Sequence, residues 1–247
     1  MKNLINKGIL PLAGSLLVLG ACTKNIEDKT PRNSDVGTYA SVQVYNAAVG
    51  TARNFIYMDG VPLNGTPMAY TSAAFTGSGT TYGLAPGVHN FTIKDTSSTT
   101  TQAPLTFSNS FQPNTSYTIF TYDTLTAVKQ ITVQTTLEVP MDTTARVRFA
   151  HLSFLTSGTP DNVDIYSRVR KANIFSNVAF KTVTNFIPMA SGKADTLLVR
   201  PAGTTNDFAT LIVTFARKRS YTLVFRGRYA NATISTEFPR TLTSFVN

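Results

Sequence analysis

The chain has 247 residues, a formal net charge of +9, one cysteine, two histidines and no tryptophan. A single cysteine excludes an intramolecular disulfide and a zinc–thiolate site, and two histidines exclude a His-rich metal cluster. The length leaves room for one large or two small folded units with real cores.

The chain opens with Lys2 and Lys7, then an apolar segment from Ile9 to Val18 that closes on Leu19-Gly20-Ala21-Cys22. The segment is too short to span a bilayer and ends in small residues, so it reads as a cleaved export signal. Residues 1–21 form a bacterial lipoprotein signal on this reading, with cleavage after Ala21 and lipid on Cys22. That use of the only cysteine also removes a cysteine nucleophile. The expected location is the outer membrane of a Gram-negative bacterium, with the protein held by its N-terminal lipid. Residues 22–38, polar and charged with Pro31 and no apolar period, read as a lipidated flexible tether.

After the tether, helical periodicity is absent. Short runs rich in Val, Ile, Thr, Tyr and Phe alternate with Gly, Pro, Asn and Ser clusters, the pattern of an antiparallel all-β protein. The first set of predicted strands covers 40–47, 53–58, 68–75, 88–94, 104–111, 116–123 and 127–137. The second covers 145–153, 162–167, 173–180, 183–189, 195–200, 208–216, 219–226 and 231–238. The two sets align at an offset of about 105 residues, as expected of a tandem duplication. Ser41-Val-Gln-Val44 matches Arg146-Val-Arg-Phe149, and Ser116-Tyr-Thr-Ile119 matches Ser220-Tyr-Thr-Leu223. Residues 39–139 therefore read as one Ig-like β-sandwich, 140–144 as a linker, and 145–247 as a second sandwich. Tyr117 and Tyr221 occupy the place of a tyrosine corner, in which the hydroxyl ties down the preceding loop.

In the second half, Arg146-Val-Arg-Phe-Ala-His151, Asp161-Asn-Val-Asp-Ile-Tyr166, the Ser-Asn-Val-Ala run at 176–179, Ser191-Gly192 and Ser220-Tyr-Thr-Leu223 occur in a recognisable order. This order resembles the domain-of-unknown-function family 4397. The resemblance implies repeated Ig-like sandwiches in exported, often lipid-anchored bacterial proteins, and it implies no activity. The first half departs from the pattern. It has no histidine equivalent to His151, and the Asp-x-Tyr run becomes Ile56-Tyr57-Met58-Asp59.

Charge is unevenly placed. Residues 22–143 hold six basic and eight acidic side chains, a net of −2, whereas residues 144–247 hold fourteen basic and five acidic, a net of +9. Such asymmetry points to an anionic neighbour. The candidate anion-binding residues are three clusters: Arg168, Arg170 and Lys171; Arg217, Lys218 and Arg219; and Arg226 with Arg228. His151 follows the apolar register and reads as a hydrogen-bonded structural histidine. Asp161 and Asp164 read as turn caps, because the calcium-loop pattern is missing.

Enzyme signatures fail in turn. The chain lacks G-x-S-x-G, H-E-x-x-H, S-x-x-K and a P-loop, and Gly77-Ser-Gly79-Thr-Thr-Tyr-Gly83 is not followed by the helix that a dinucleotide loop needs. No cofactor or metal is expected, and nucleic acid is a poor partner for an exported chain without a nucleic-acid motif. Asp123-Thr124-Leu125, Asp142-Thr143-Thr144 and Asp195-Thr196-Leu197 resemble an O-glycosylation sequon of some Gram-negative bacteria, making Thr124, Thr143 and Thr196 candidate acceptors. The expected function is non-catalytic binding or scaffolding at the cell envelope, directed at an anionic glycan, lipid or protein. The alternatives are a structural or accessory subunit of an outer-membrane assembly and, behind it, an uncharacterised hydrolase.

Overall fold

The computed structural model describes residues 38–74, 81–137, 139–232 and 237–247. The export signal with Ala21 and Cys22, the tether up to residue 37, the Gly77–Gly79 loop and Glu138 lie outside the described residues. Val36–Asn247 form one compact unit that contains both repeats.

The first repeat consists of β1 (Ala40–Asn46), β2 (Asn54–Met58), β3 (Val61–Pro62), β4 (Ala73–Ala74), β5 (Tyr82–Leu84), β6 (Gly87–Asp95), β7 (Leu105–Phe111), β8 (Ser116–Tyr122) and β9 (Lys129–Thr135). One sheet has the order β3-β2-β6-β7. The other has the order β4-β1-β8-β9, with β5 also on β1. The second repeat consists of β10 (Ala145–His151), β11 (Val163–Ser167), β12 (Ala172–Val178), β13 (Ile187–Met189), β14 (Ala194–Pro201), β15 (Ala209–Thr214), β16 (Ser220–Arg226) and β17 (Thr241–Val246). Its sheets run β12-β11-β14-β15 and β13-β10-β16-β17. The two repeats share one connectivity, so the duplication visible in the sequence is also one of topology.

The fold is the expected pair of tandem Ig-like sandwiches, with one added feature. Antiparallel pairing prevails, but β1 lies parallel to β8 with Ser41 opposite Ser116, and β10 lies parallel to β16 with Arg146 opposite Ser220. The predicted last strand is displaced. Residues 231, 232, 237 and 238 are not in a strand, residues 233–236 lie outside the described residues, and β17 spans the six residues Thr241–Val246, beyond Pro239. There Leu242 enters the core of the second repeat, while Phe245 faces the first repeat. The two tyrosine corners form as expected. Gln112 N–H donates to Tyr117 Oη at 3.0 Å and Ala216 N–H donates to Tyr221 Oη at 2.9 Å.

Burial separates two kinds of sheet. In β7 inward and outward positions alternate, as in a sheet with one face in water. In β8 and β16 six consecutive residues are buried, so these strands are covered on both faces. One face closes the core of its own repeat: Val42, Val44 and Ile119 in the first, Val147, Phe149 and Leu223 in the second. The other face meets the opposite repeat. Tyr45, Phe120 and Tyr122 pack with Ala150, Val224 and Phe245 in a third core cluster. Tyr45 stacks on Phe245 with centroids 5.0 Å apart, and its hydroxyl hydrogen-bonds Thr243 Oγ1 at 2.9 Å. The molecule is therefore four sheets deep, with the two repeats back to back.

His151 closes β10 among aromatic rings, 5.4 Å from Phe225 and 5.8 Å from Phe180 between centroids. It is fully buried; Nδ1 lies 3.3 Å from Val178 O, and Nε2 has no partner among the described residues. Burial pushes its pKa down to about 4, because a protonated ring would place an unpaired charge in the core. His89 is the opposite case. Its Nδ1 lies 2.6 Å from Asp59 Oδ2, and that hydrogen bond raises its pKa above the ordinary histidine value.

Two predictions follow from this packing. Phe120→Ala opens a cavity between the repeats and lowers the stability of the whole unit by about 3–5 kcal/mol, measured by urea unfolding. Between pH 6.5 and 4 the unfolded chain binds a proton that folded His151 refuses, so stability falls as pH falls across that window, by about 3 kcal/mol from this group. Histidine NMR titration checks the assignment, with one ring titrating near pH 4 and the other above 6.5.

Candidate anion-binding face

The back-to-back packing fixes which loops share an end. Near the start of β10, Arg148 contacts Thr118 near the start of β8; near their far ends, Phe180 beside His151 meets Tyr122 edge-on at 5.9 Å. The starts of β1, β8, β10 and β16 therefore lie together and form the leading end of the molecule.

Three connections of the second repeat reach the leading end. The β11–β12 turn is held by Asp195, whose carboxylate accepts hydrogen bonds from Ser167 Oγ and from Val169 N–H at 3.1 Å. Ser167 Oγ in turn accepts from Arg170 N–H at 3.0 Å, and Lys171 turns the chain at φ 53°. Fixed in this way, the turn presents Arg168, Val169, Arg170 and Lys171 to solvent. Arg170 also donates to Pro188 O at 2.6 Å. The β15–β16 turn exposes Arg217, Lys218 and Arg219, with Lys218 at φ 56° and its N–H donating to Thr144 O at 3.0 Å. The third connection, at Ser191-Gly192, is tied to the segment that joins the repeats and to the end of β15: Ser191 Oγ donates to Thr143 O at 2.6 Å and Gly192 N–H to Phe215 O at 2.9 Å.

Six of the eight candidate basic residues thus gather at one end, mixed with exposed apolar side chains. Val139 is 76% exposed, Met141 98% and Val169 58%. A surface pocket of about 420 Å³ lies between Leu137, Val139 and the Arg217–Arg219 turn.

Arg226 and Arg228 do not belong to this face, which corrects the sequence reading. They lie at the opposite end, where β16 finishes. Arg226 is buried, with its guanidinium 4.8 Å from the centre of the Tyr70 ring and its Nε donating to Thr243 Oγ1 at 3.3 Å. Arg228 is half-buried, and its Nε has no partner among the described residues. Arg226 is thus absorbed by packing, and both lie away from the six basic residues of the leading end.

Asp164 is a turn cap: it accepts from Asn177 N–H at 2.7 Å, Asn173 Nδ2 at 2.9 Å and Gly203 N–H at 3.1 Å. Asp161 receives the Tyr229 hydroxyl at 3.3 Å. Of the three sequon threonines, Thr143 is exposed, Thr124 is half-buried before a 3-10 turn, and Thr196 sits inside β14. Among the described residues, no three His, Cys, Asp or Glu side chains come together to hold a metal ion. The residue that sequence reasoning missed is Arg148. Alternation places it on the polar face of β10, yet it is 2% exposed because that face is covered by the first repeat. Its signal was indirect: Phe120, Tyr122 and Val224 are apolar on the face that strand alternation reserves for water.

No curated protein matches this chain. The family described as "Domain of unknown function (DUF4397)" matches residues 40–158 and again residues 154–240, most of both sandwiches. The chain belongs to that family.

Proposed function

We propose that the protein is a non-catalytic binding module of the cell envelope, held by lipid on Cys22, and that the leading end of its second repeat rests on an anionic bilayer surface. One observation carries this reading. The six exposed basic residues and the exposed Val139, Met141 and Val169 lie at the same end of the molecule at which the chain enters β1. Cations attract anionic headgroups, and nearby apolar side chains gain by entering the headgroup boundary, so the mixture suits a lipid interface better than a purely aqueous partner. A lipid at Cys22 holds this end close to the membrane, which raises the effective concentration of weak contacts. The basic turns are rigidly held by Asp195 and by Thr144 O, so the contact surface is formed in advance.

The test uses residues 36–247, which lack the proposed anchor. Binding to vesicles that contain phosphatidylglycerol is expected to fall steeply with salt, and vesicles of phosphatidylcholine alone are expected to bind weakly. Changing Arg217, Lys218 and Arg219 to Gln is expected to weaken binding on the order of a hundredfold. Equal binding by the variant, or binding indifferent to lipid charge, contradicts the proposal.

A further inference from the structure

Arg148 occupies an unusual position for a cation. It sits between the repeats with four of its five N–H groups engaged. Nε donates to Thr222 Oγ1 at 2.8 Å, Nη1 to Thr135 Oγ1 at 3.0 Å, and Nη2 to Thr118 Oγ1 at 2.8 Å and Asn247 Oδ1 at 3.1 Å. Every one of these acceptors is neutral. The second Nη1 hydrogen has no acceptor among the described residues, and no carboxylate among them forms an ion pair with Arg148. Phe186 covers one face of the guanidinium at 4.9 Å. A buried arginine ordinarily has a countercharge, because removing the ion from water costs several kcal/mol. Burial lowers the pKa of Arg148 to about 9, which still leaves it protonated at neutral pH.

This guanidinium lines a cleft of about 290 Å³ between the repeats. Arg146, Gln134, Thr136 and Asn185 also line the cleft, with Phe186 as its apolar member. Among the described residues, no carboxylate lines it. The nearest acid of Arg146, Asp142, is 3.6 Å away, and its side chain is 54% exposed, so it neutralises little of the charge. The positive charge of the cleft arises in the second repeat only, since the residue aligned with Arg148 in the first repeat is the neutral Gln43.

We infer that the cleft between the repeats is an oxyanion-binding site, in which Arg148 and Arg146 receive a carboxylate, sulfate or phosphate group of a small polar ligand. Arg148 supplies the missing half of an ion pair at the buried end, and Arg146 closes on the anion from the more exposed side. The amides and hydroxyls match a ligand whose remainder carries hydroxyl groups, and the volume suits one sugar-sized unit. The site stands apart from the exposed basic turns, none of whose residues lines this cleft. Its oxyanion can come from a free acid or from a lipid headgroup.

The experiment follows the Arg148 Nε–H resonance of the full chain by NMR during titration with three separate probes: inorganic phosphate, glucuronate, and vesicles containing phosphatidylglycerol. A saturable shift with phosphate or glucuronate identifies a free anion as ligand, and a shift with vesicles alone identifies a headgroup; both support the site. Arg146→Gln, at a position whose loss leaves the interface intact, is expected to weaken that binding roughly tenfold or more. Arg217→Gln, Lys218→Gln and Arg219→Gln together leave it unchanged, which separates this site from membrane docking. An Arg148 resonance that stays fixed with all three probes overturns the inference, as does a shift indifferent to Arg146→Gln and abolished by the triple change.

Discussion

The packing of the two inner sheets against each other is the constraint on which the rest of the structure depends. Each Ig-like repeat could in principle bury one face of each sheet and leave the other to water. Here β8 and β16 are buried on both faces, and Tyr45, Phe120, Val224 and Phe245 form an apolar layer between the repeats. A large apolar contact of this kind opposes the relative motion expected of domains joined by a short polar connection. Two polar groups in the layer are accommodated in the way burial requires: the Tyr45 hydroxyl finds Thr243, and Arg148 finds three threonine hydroxyls and an amide oxygen.

Fixing the repeats in this way decides where the charge goes. The net excess of positive residues in the second half is not a uniform field. Arg148 and Arg226 are buried at the interface, Arg200 pairs with Asp207 at 2.7 Å while lying over Tyr166, and Arg240 stacks on Phe208 at 3.5 Å. What remains exposed at the leading end is the Arg168–Lys171 turn, the Arg217–Arg219 turn and Lys193. Their common placement follows from the parallel pairing of β10 with β16, which brings the β15–β16 turn beside the start of β10.

Much of the architecture was legible in the residues. The duplication, the class of fold and the two tyrosine corners rest on local signals: alternation, turn residues and a repeated Ser-Tyr-Thr-aliphatic run. Other features depend on contacts between segments far apart in sequence, and local patterns carry little of that. The parallel placement of β1 and β10 is a choice of partner strand. The position of β17 follows from burial on two different cores, with Leu242 entering that of the second repeat and Phe245 the layer between the repeats. Arg146 and Arg148 read as an outward polar stripe because alternation says which residues share a face, not what covers it. The adjacent apolar residues Ile119-Phe120 in β8 and Leu223-Val224-Phe225 in β16 were the local signs that a second cover exists. For the candidate site, exposed turns such as Arg217–Arg219 were visible as breaks between strands. Arg226 failed as a candidate because a basic residue at a strand end can equally well stack on an aromatic ring of the neighbouring repeat, here Tyr70, and Arg228 lies with it at the opposite end.

Residual dipolar couplings measured from backbone amides in both repeats test the central claim most directly. If the inner sheets lock the repeats together, one alignment tensor fits the amides of β1–β9 and β10–β17 jointly. Two tensors of different magnitude, one for each repeat, contradict a fixed interface and with it the shared leading end and the cleft that depend on it.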